Sequence, residues 1–430
     1  MPDNFTLSDS IVQHINDSMV LALAAERYPL WKYACPKLTD IDFIRLGLHR
    51  TISAVDSGRH FLKVTDDIHN EIIPLTTYFK SLASHRRANM LKAAEQQSYH
   101  LLSKILQERG IDYLQSYPEL NEYRVEAADG HFIEHACHTP KNKKGKVYAA
   151  GFIYALNLRN GLLRPFCLVT NGSQKHQEIP VLRKHLEKSS DKKQKNLYLY
   201  DKAVTDFYWW DQQKSDHNYM ISVQKENAIV KHVKAISFDR QDEFNIGVES
   251  YDVYENTKGI RFSVVAYRDP ETGKLHRFIT TLPQSIRPGA IAMLYYKRWA
   301  IEKAFNNNKS DFKERKAWSS QKYALENQMR LMAMSYNLMR VLEETSKRDA
   351  PELIHPSDKK YDEALEKKQL SARKRGRFVN PLFFQARITR ISSFTIRTAQ
   401  SAIITGRSLV DVLRSLMRQL VPRRDLIEEH

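Results

Sequence analysis

The succession of hydrophobic periods between Tyr123 and Val223 constrains this chain more than any other stretch. Tyr123, Val125 and Ala127 alternate with Arg124 and Glu126, the two-residue period of a strand with one buried face. Asp129-Gly130 comes next and Phe132 to Cys137 continues extended, which predicts a strand carrying a turn or bulge. Val147 to Leu158 and Leu162 to Val169 are apolar runs around Arg159-Asn160-Gly161, and Asn-Gly between such runs is a strong hairpin signal. His176 to Glu187 then places Ile179, Leu182 and Leu186 on one helical face. A lysine-rich linker, Ser189 to Lys195, leads to the short run Asn196 to Asp201, which ends on a carboxylate. A helix through Phe207 and Trp210 and a strand over Tyr219 to Val223 complete the series.

Strand, strand, strand, helix, strand, helix, strand is, within the α/β class, the order of a ribonuclease-H-like core. After it the pattern breaks. Val248 to Tyr254, Ile260 to Tyr267 and Leu275 to Thr281 read as strands separated by Thr257-Lys258-Gly259 and Asp269 to Gly273 turns, so residues 226–286 form an all-β insertion. Pro288-Gly289 opens a helix, and Gln321 to Glu344, rich in Leu and Met, is a second helix of core character. Residues 1–120 read as mostly helical, with Ser84 capping a helix that ends at Gly110; they are a candidate DNA-end-binding domain or a plain scaffold. The expected organisation is that N-terminal helical region, a catalytic core over 121–310 interrupted by the β insertion, a core-packing helix over 311–345, and a basic linker with a helical C-terminal region over 346–430. Pro351, Pro356, Pro381 and the run Arg373 to Arg377 suggest that 346–381 is a mobile basic linker, with Ser408 to Leu420 a closing amphipathic helix.

Charge indicates the partner. The chain carries 67 Lys and Arg against 50 Asp and Glu, a net +17 that suits a polyanion such as nucleic acid. Fourteen Lys or Arg and a single acid, Asp411, fall between Lys367 and Arg424. Cys35, Cys137 and Cys167 are odd in number and far apart, as expected of a reducing compartment rather than a disulfide framework; Cys35 and Cys167 read as buried small apolar residues. The apolar run Met19 to Ala25 is too short to span a bilayer, so a soluble cytoplasmic protein with no membrane partner is expected.

Three carboxylates stand where chemistry could use them: Asp129 and Asp201 at strands expected to be neighbours, and Glu302 on the helix that follows the insertion. Converging carboxylates repel, and hard cations such as a pair of Mg²⁺ ions relieve that repulsion through oxygen ligation. On the helix around Glu302, Tyr295, Arg298, Glu302 and Lys309 fall within about 60° of one another. Seen alone, that face is equally a solvated one with an ordinary i,i+4 pair, Asp129-Gly130 a turn, and Asp201 a helix cap. A zinc site from His131, His135, Cys137 and His138 is the weaker alternative, because alternation puts His135 and His138 on opposite strand faces and no second ligand pair is present.

The spacing Tyr295-x2-Arg298-x3-Glu302-x6-Lys309 resembles the YREK signature of DDE transposases from bacterial insertion sequences, as do the flanking Arg298-Trp299-x-Ile301-Glu302, the Asp129-Gly130 step and a strand ending at Asp201. The resemblance covers about residues 120–345. It implies a ribonuclease-H-like enzyme that uses two Mg²⁺ ions, with Mn²⁺ an alternative, to cut double-stranded DNA at terminal inverted repeats and join the freed 3′-hydroxyls to target DNA. It further implies that Asp129, Asp201 and Glu302 are the catalytic metal ligands, that Tyr295, Arg298 and Lys309 grip phosphates and the terminal base, and that a homodimer pairs the two ends, nucleoid-associated when on DNA. An inactive DNA-binding descendant and a simple metal-dependent endonuclease are the competing readings. Some relatives stack a flipped base on a tryptophan in the insertion. None of Trp31, Trp209, Trp210, Trp299 and Trp318 lies there; Tyr251, Tyr254, Phe262 and Tyr267 could substitute, although sheet-core packing is the simpler role for them.

Overall fold

The computed structural model describes residues 37–53, 57–65, 73–134, 150–169, 178–189, 194–225, 228–312, 314–349, 356–379, 381 and 400. The helix expected over Ser408–Leu420, the run Met19–Ala25, and Cys35, Cys137, His135 and His138 lie outside them.

Among the described residues, nine strands form one sheet. In chain order they are β1 (Tyr123–Ile133), β2 (Ala150–Asn157), β3 (Leu163–Val169), β4 (Lys195–Leu199), β5 (Asn218–Val223), β6 (Val230–Ala235), β7 (Val248–Asn256), β8 (Arg261–Arg268) and β9 (Leu275–Thr280). Their order across the sheet is β3-β2-β1-β4-β5-β9-β8-β7-β6. The central β1, β4 and β5 are parallel; the β2–β3 hairpin flanks them antiparallel on one side, and the insertion follows antiparallel on the other. The mixed α/β architecture is that of a ribonuclease-H-like core. The insertion therefore extends the same sheet through pairing of β9 with β5. It also holds a strand absent from the sequence reading, β6, because the Val230–Ala235 run VKHVKA is exposed along most of its length and carries no inward apolar period.

Among the described residues, eight helices flank the sheet: α1 (Asp40–Ile52), α2 (Gly58–Thr65), α3 (Leu75–Leu82), α4 (His85–Glu108), α5 (Glu178–Ser189), α6 (Phe207–Ser215), α7 (Pro288–Ser310) and α8 (Lys322–Asp349); a ninth, α9 (Pro356–Arg373), follows. Odd-numbered β1 positions Val125, Ala127 and Ile133 share a core with α1 to α4, α7 and α8. Ala128 faces the other way, into a core with Leu182 and Leu186 of α5 and Trp209 and Trp210 of α6. The alternation read from the sequence thus places Asp129 on the α7 face and Glu126 on the opposite one. Ser84 caps α4 as expected, accepting from Arg87 N at 3.4 Å.

The N-terminal helices join the sheet through α8. Asn337 of α8 accepts from Leu163 N and donates to Leu163 O, both at 2.7 Å, at the start of β3. Asn327 donates to Leu82 O at 2.8 Å, and Leu331 fills the space that a Cβ on Gly47 would need. Leu and Met make α8 a core helix, as its composition suggested.

Two local expectations change. β1 runs without interruption through Asp129-Gly130, with Asp129 opposite Tyr154 and Gly130 opposite Ile153; the ladder to β2 overrides the turn tendency of Asp-Gly. Within 346–381, where a mobile basic linker was expected, α9 forms over Pro356–Arg373. Pro356 opens it at a position where no backbone N–H is needed, and the next seventeen residues contain neither Gly nor Pro.

Candidate active site

The parallel register of β1 and β4 brings the first two carboxylates together. Ala127 pairs with Leu199, so Asp129 and Asp201 each lie two residues beyond the same rung on adjacent chains. Adjacent strands are about 4.8 Å apart. Asp129 Oδ1 accepts from Gly130 N at 2.8 Å. Asp201 leaves the strand and caps a short 3₁₀ turn, Lys202–Val204, accepting from Ala203 N at 2.7 Å while its carbonyl accepts from Ser222 Oγ at 2.9 Å. The capping role weighed for Asp201 in the sequence is real, and it leaves the second carboxylate oxygen uncommitted to that bond.

Glu302 arrives on α7, which is fixed at both ends. At its start Gly289 N donates to Asn245 Oδ1 at 2.9 Å, and a Cβ on Gly289 would stand 1.7 Å from Phe244 O. Arg287 clamps the same end to Glu119 at 2.6 Å and Asp242 at 3.3 Å, with its guanidinium 4.3 Å from the Phe244 ring centre. Beyond its C-terminus, Glu134 N donates to Arg315 O at 2.7 Å and Ala317 N to Glu134 O at 2.8 Å, which ties the chain after α7 to the end of β1. Between these anchors Leu294, Ile301 and Phe305 pack inward as the apolar stripe expected from the sequence.

The polar face of α7 is shielded from solvent at Arg298, while the Glu302 side chain stays 45% exposed. Arg298 is only 5% exposed. Its Nη2 donates to Glu302 Oε1 at 3.1 Å, Nη1 lies 3.8 Å from Asp129 Oδ2, and the guanidinium sits 5.4 Å from the Tyr295 ring centre. Tyr295, Arg298, Glu302 and Asp129 thus form one cluster. Burial, with opposing help from Gly130 N–H and Arg298, leaves the Asp129 carboxyl above the ordinary range, and the charges of Asp201 and Glu302 push it the same way. Tyr295 is raised by burial, against the pull of Arg298, and also feels Asp201 and Glu302. All three carboxylates are therefore within electrostatic reach of one another. Lys309 lies two helical turns beyond Glu302 on the same side of α7, exposed, with no contact to the other three.

The donor set is all oxygen, which suits Mg²⁺ or Mn²⁺. Among the described residues no three side chains of His, Cys, Asp or Glu stand close enough to cage a cation as they are, and the Arg298 guanidinium reaches both Asp129 and Glu302. The mutual repulsion of the carboxylates, which that guanidinium partly relieves, is what a divalent cation would relieve further.

A profile of the family described as Transposase DDE domain matches residues 121–338, half of the chain. The chain belongs to the DDE transposase family. The match spans β1 through most of α8 and includes Asp129, Asp201 and the whole of α7. No curated protein matches the chain at a significant level. No described helix is long and apolar enough to cross a membrane.

Sequence reasoning missed a second polar pair in this transposase core. His131, two residues beyond Asp129 on the same strand face, has its Nε2 3.2 Å from Glu314 Oε2, and both side chains are fully buried. The His131 ring packs 5.0 Å from Phe305 of α7, and burial raises the Glu314 carboxyl despite the pull of His131. Nothing local announces this pair, since the partners are 183 positions apart (314 − 131). It gives His131 a buried carboxylate partner. Tyr251, Phe262 and Tyr267 of the insertion are at most 4% exposed and serve the sheet core. Cys167 is half-buried on β3 and forms no disulfide.

Proposed function

We propose that the chain is an active transposase that cleaves DNA at transposon ends and transfers the 3′-hydroxyls to target DNA, with Asp129, Asp201 and Glu302 as its catalytic carboxylates. What supports this most is the register of β1 and β4, which presents Asp129 and Asp201 side by side while Arg298 links Glu302 to Asp129. The three carboxylates would hold two Mg²⁺ ions. Bound there, such ions would supply Lewis acidity for a water or 3′-hydroxyl nucleophile and for the leaving oxygen of the phosphodiester.

The remaining work falls to the chain itself. Arg298, desolvated and always cationic, orients Glu302 by a charge-assisted hydrogen bond and sets its positive charge beside the phosphate that the carboxylates receive. Tyr295 donates its phenolic proton to the same backbone region, since burial keeps that phenol protonated. Lys309, further along α7 and exposed, steers the phosphates of the incoming strand as a point charge. The excess of basic residues gives affinity for two DNA partners, the terminal repeat and the target. Two ends require two sites, so the working form is a homodimer on paired ends.

Incubation with labelled terminal-repeat DNA, Mg²⁺ and a target plasmid tests this. Nicking plus joining is expected, with Asp129→Asn, Asp201→Asn and Glu302→Gln each reduced to background. Nicking without joining would favour an endonuclease, and unchanged cleavage by Glu302→Gln would remove that residue from the site.

A further inference from the structure

At the free edge of β3, two strands from β1, a cleft of about 590 Å³ opens between α4, α5 and α8. It lies apart from the carboxylates: Arg164 is opposite Ala155, which is opposite Ala128, and Arg164 and Glu126 meet on the sheet face away from Asp129. Five permanent cations line it, namely Lys92, Arg124, Arg164, Lys322 and Arg330, against two lining acids, Glu95 and Glu326. A third acid, Glu126, lies beneath and is consumed by Arg124 at 2.9 Å and Arg164 at 2.6 Å.

The cation excess is not spent internally. Lys92 has no ion-pair partner among the described residues, and Lys322 reaches Glu326 only at 3.9 Å with its side chain 65% exposed. Arg330 is 3.5 Å from Glu95, and its Nε has no hydrogen-bond partner. Burial pushes the Glu95 carboxyl up to about 7, so near neutral pH the cleft loses part of one of its two negative charges. One wall is aromatic: the Phe166 ring, 5% exposed, lies 4.7 Å from the Arg164 guanidinium and 4.6 Å from the His185 ring, to which it is tilted by 55°. Cationic rim, aromatic wall and a volume in the range of small-ligand sites match a phosphate with a nucleoside attached.

We infer that the β3-edge cleft binds a nucleotide phosphate, supplied by a DNA strand or by a free mononucleotide, with Lys92, Lys322 and Arg330 on the phosphate and the Phe166 wall beside the nucleoside. This gives the chain a nucleic-acid contact remote from Asp129, Asp201 and Glu302. The DNA arm rests on the transposase reading and the mononucleotide arm does not.

Full-length protein is titrated with fluorescein-labelled single-stranded and duplex oligonucleotides, and separately with dAMP by calorimetry. Lys92→Glu/Lys322→Glu changes two exposed side chains, and Lys92→Ala/Lys322→Ala is its milder counterpart. Lys231→Glu/Lys234→Glu, on β6 at the opposite sheet edge, controls for general charge. The expected result is at least tenfold weaker binding in the first variant, a smaller loss in the second, and less than threefold in the β6 control. Asp201→Asn, inactive in cleavage, should bind as wild type, which separates failure of the catalytic reading from failure of this one. Lysine-dependent dAMP heat identifies a mononucleotide source; lysine-dependent oligonucleotide binding without it identifies a DNA strand. Equal losses in the cleft and β6 variants, or unchanged affinity for both ligands in the cleft variants, would overturn the inference.

Discussion

Glu126 offers the sharpest energetic test of how β1 is held. Its carboxylate is fully buried, Oε1 accepts from Arg124 Nε at 2.9 Å and Arg164 Nε at 2.8 Å, and Oε2 accepts from Arg164 Nη2 at 2.6 Å. Burial alone would raise its pKa, but the two guanidinium groups outweigh it and bring the carboxyl down from 4.5 to about 2. At 1.36 kcal/mol per pKa unit that corresponds to about 3 kcal/mol favouring the charged form in the folded state. Glu126→Gln keeps the volume but turns an amide N–H₂ toward donors and leaves the half-buried Arg164 without its counter-charge. Breaking such a pair costs roughly 3–5 kcal/mol. The folded pKa is depressed, so the contribution is complete above the unfolded value near 4.5 and is lost as pH falls toward 2. Urea unfolding followed by circular dichroism should therefore show a loss of about 3 kcal/mol at pH 7, narrowing steadily from pH 4.5 to pH 2.5. A difference below about 1 kcal/mol at pH 7, or one that does not change with pH, would refute the assignment of stability to this charged triad.

Three further outcomes are expected. Gly289→Ala, whose Cβ would meet the Phe244 carbonyl, should cost roughly 3 kcal/mol or more in the same unfolding assay and lower cleavage by displacing α7 and Glu302. Glu95 is the converse of Glu126: its folded pKa is raised to about 7, so wild-type stability relative to Glu95→Gln should fall as pH rises from 4.5 to 7 and then level off, read as a difference in Tm. Lys309→Ala should weaken end-DNA binding modestly, with a shallower salt dependence and little change in Tm, because its side chain is exposed.

The periods of residues 123–223 were sufficient to place β1, β2, β3, β4 and β5 within a few positions, because a half-buried strand writes its two faces into alternate residues and Asn160-Gly161 marks a hairpin. The same local logic failed where burial was not the cause of structure. β6 is exposed and left no pattern, and Asp129-Gly130, a turn by propensity, is held straight by its neighbours in the ladder. Spacing alone put Tyr295, Arg298 and Glu302 on one helix face, which is a property of 3.6 residues per turn and needs no tertiary information.

What only the tertiary structure decided is the environment of that face. Sequence could not distinguish a solvated Arg298–Glu302 pair from a buried one, since desolvation depends on what packs alongside α7. The sheet supplies Asp129 there, Phe278 packs 4.9 Å from Tyr295, and the guanidinium becomes nearly inaccessible to water. Long-range pairs such as His131 with Glu314 and Arg164 with Glu126 have no local signature, because the cost of burying each charge is met by a partner that only the fold brings near.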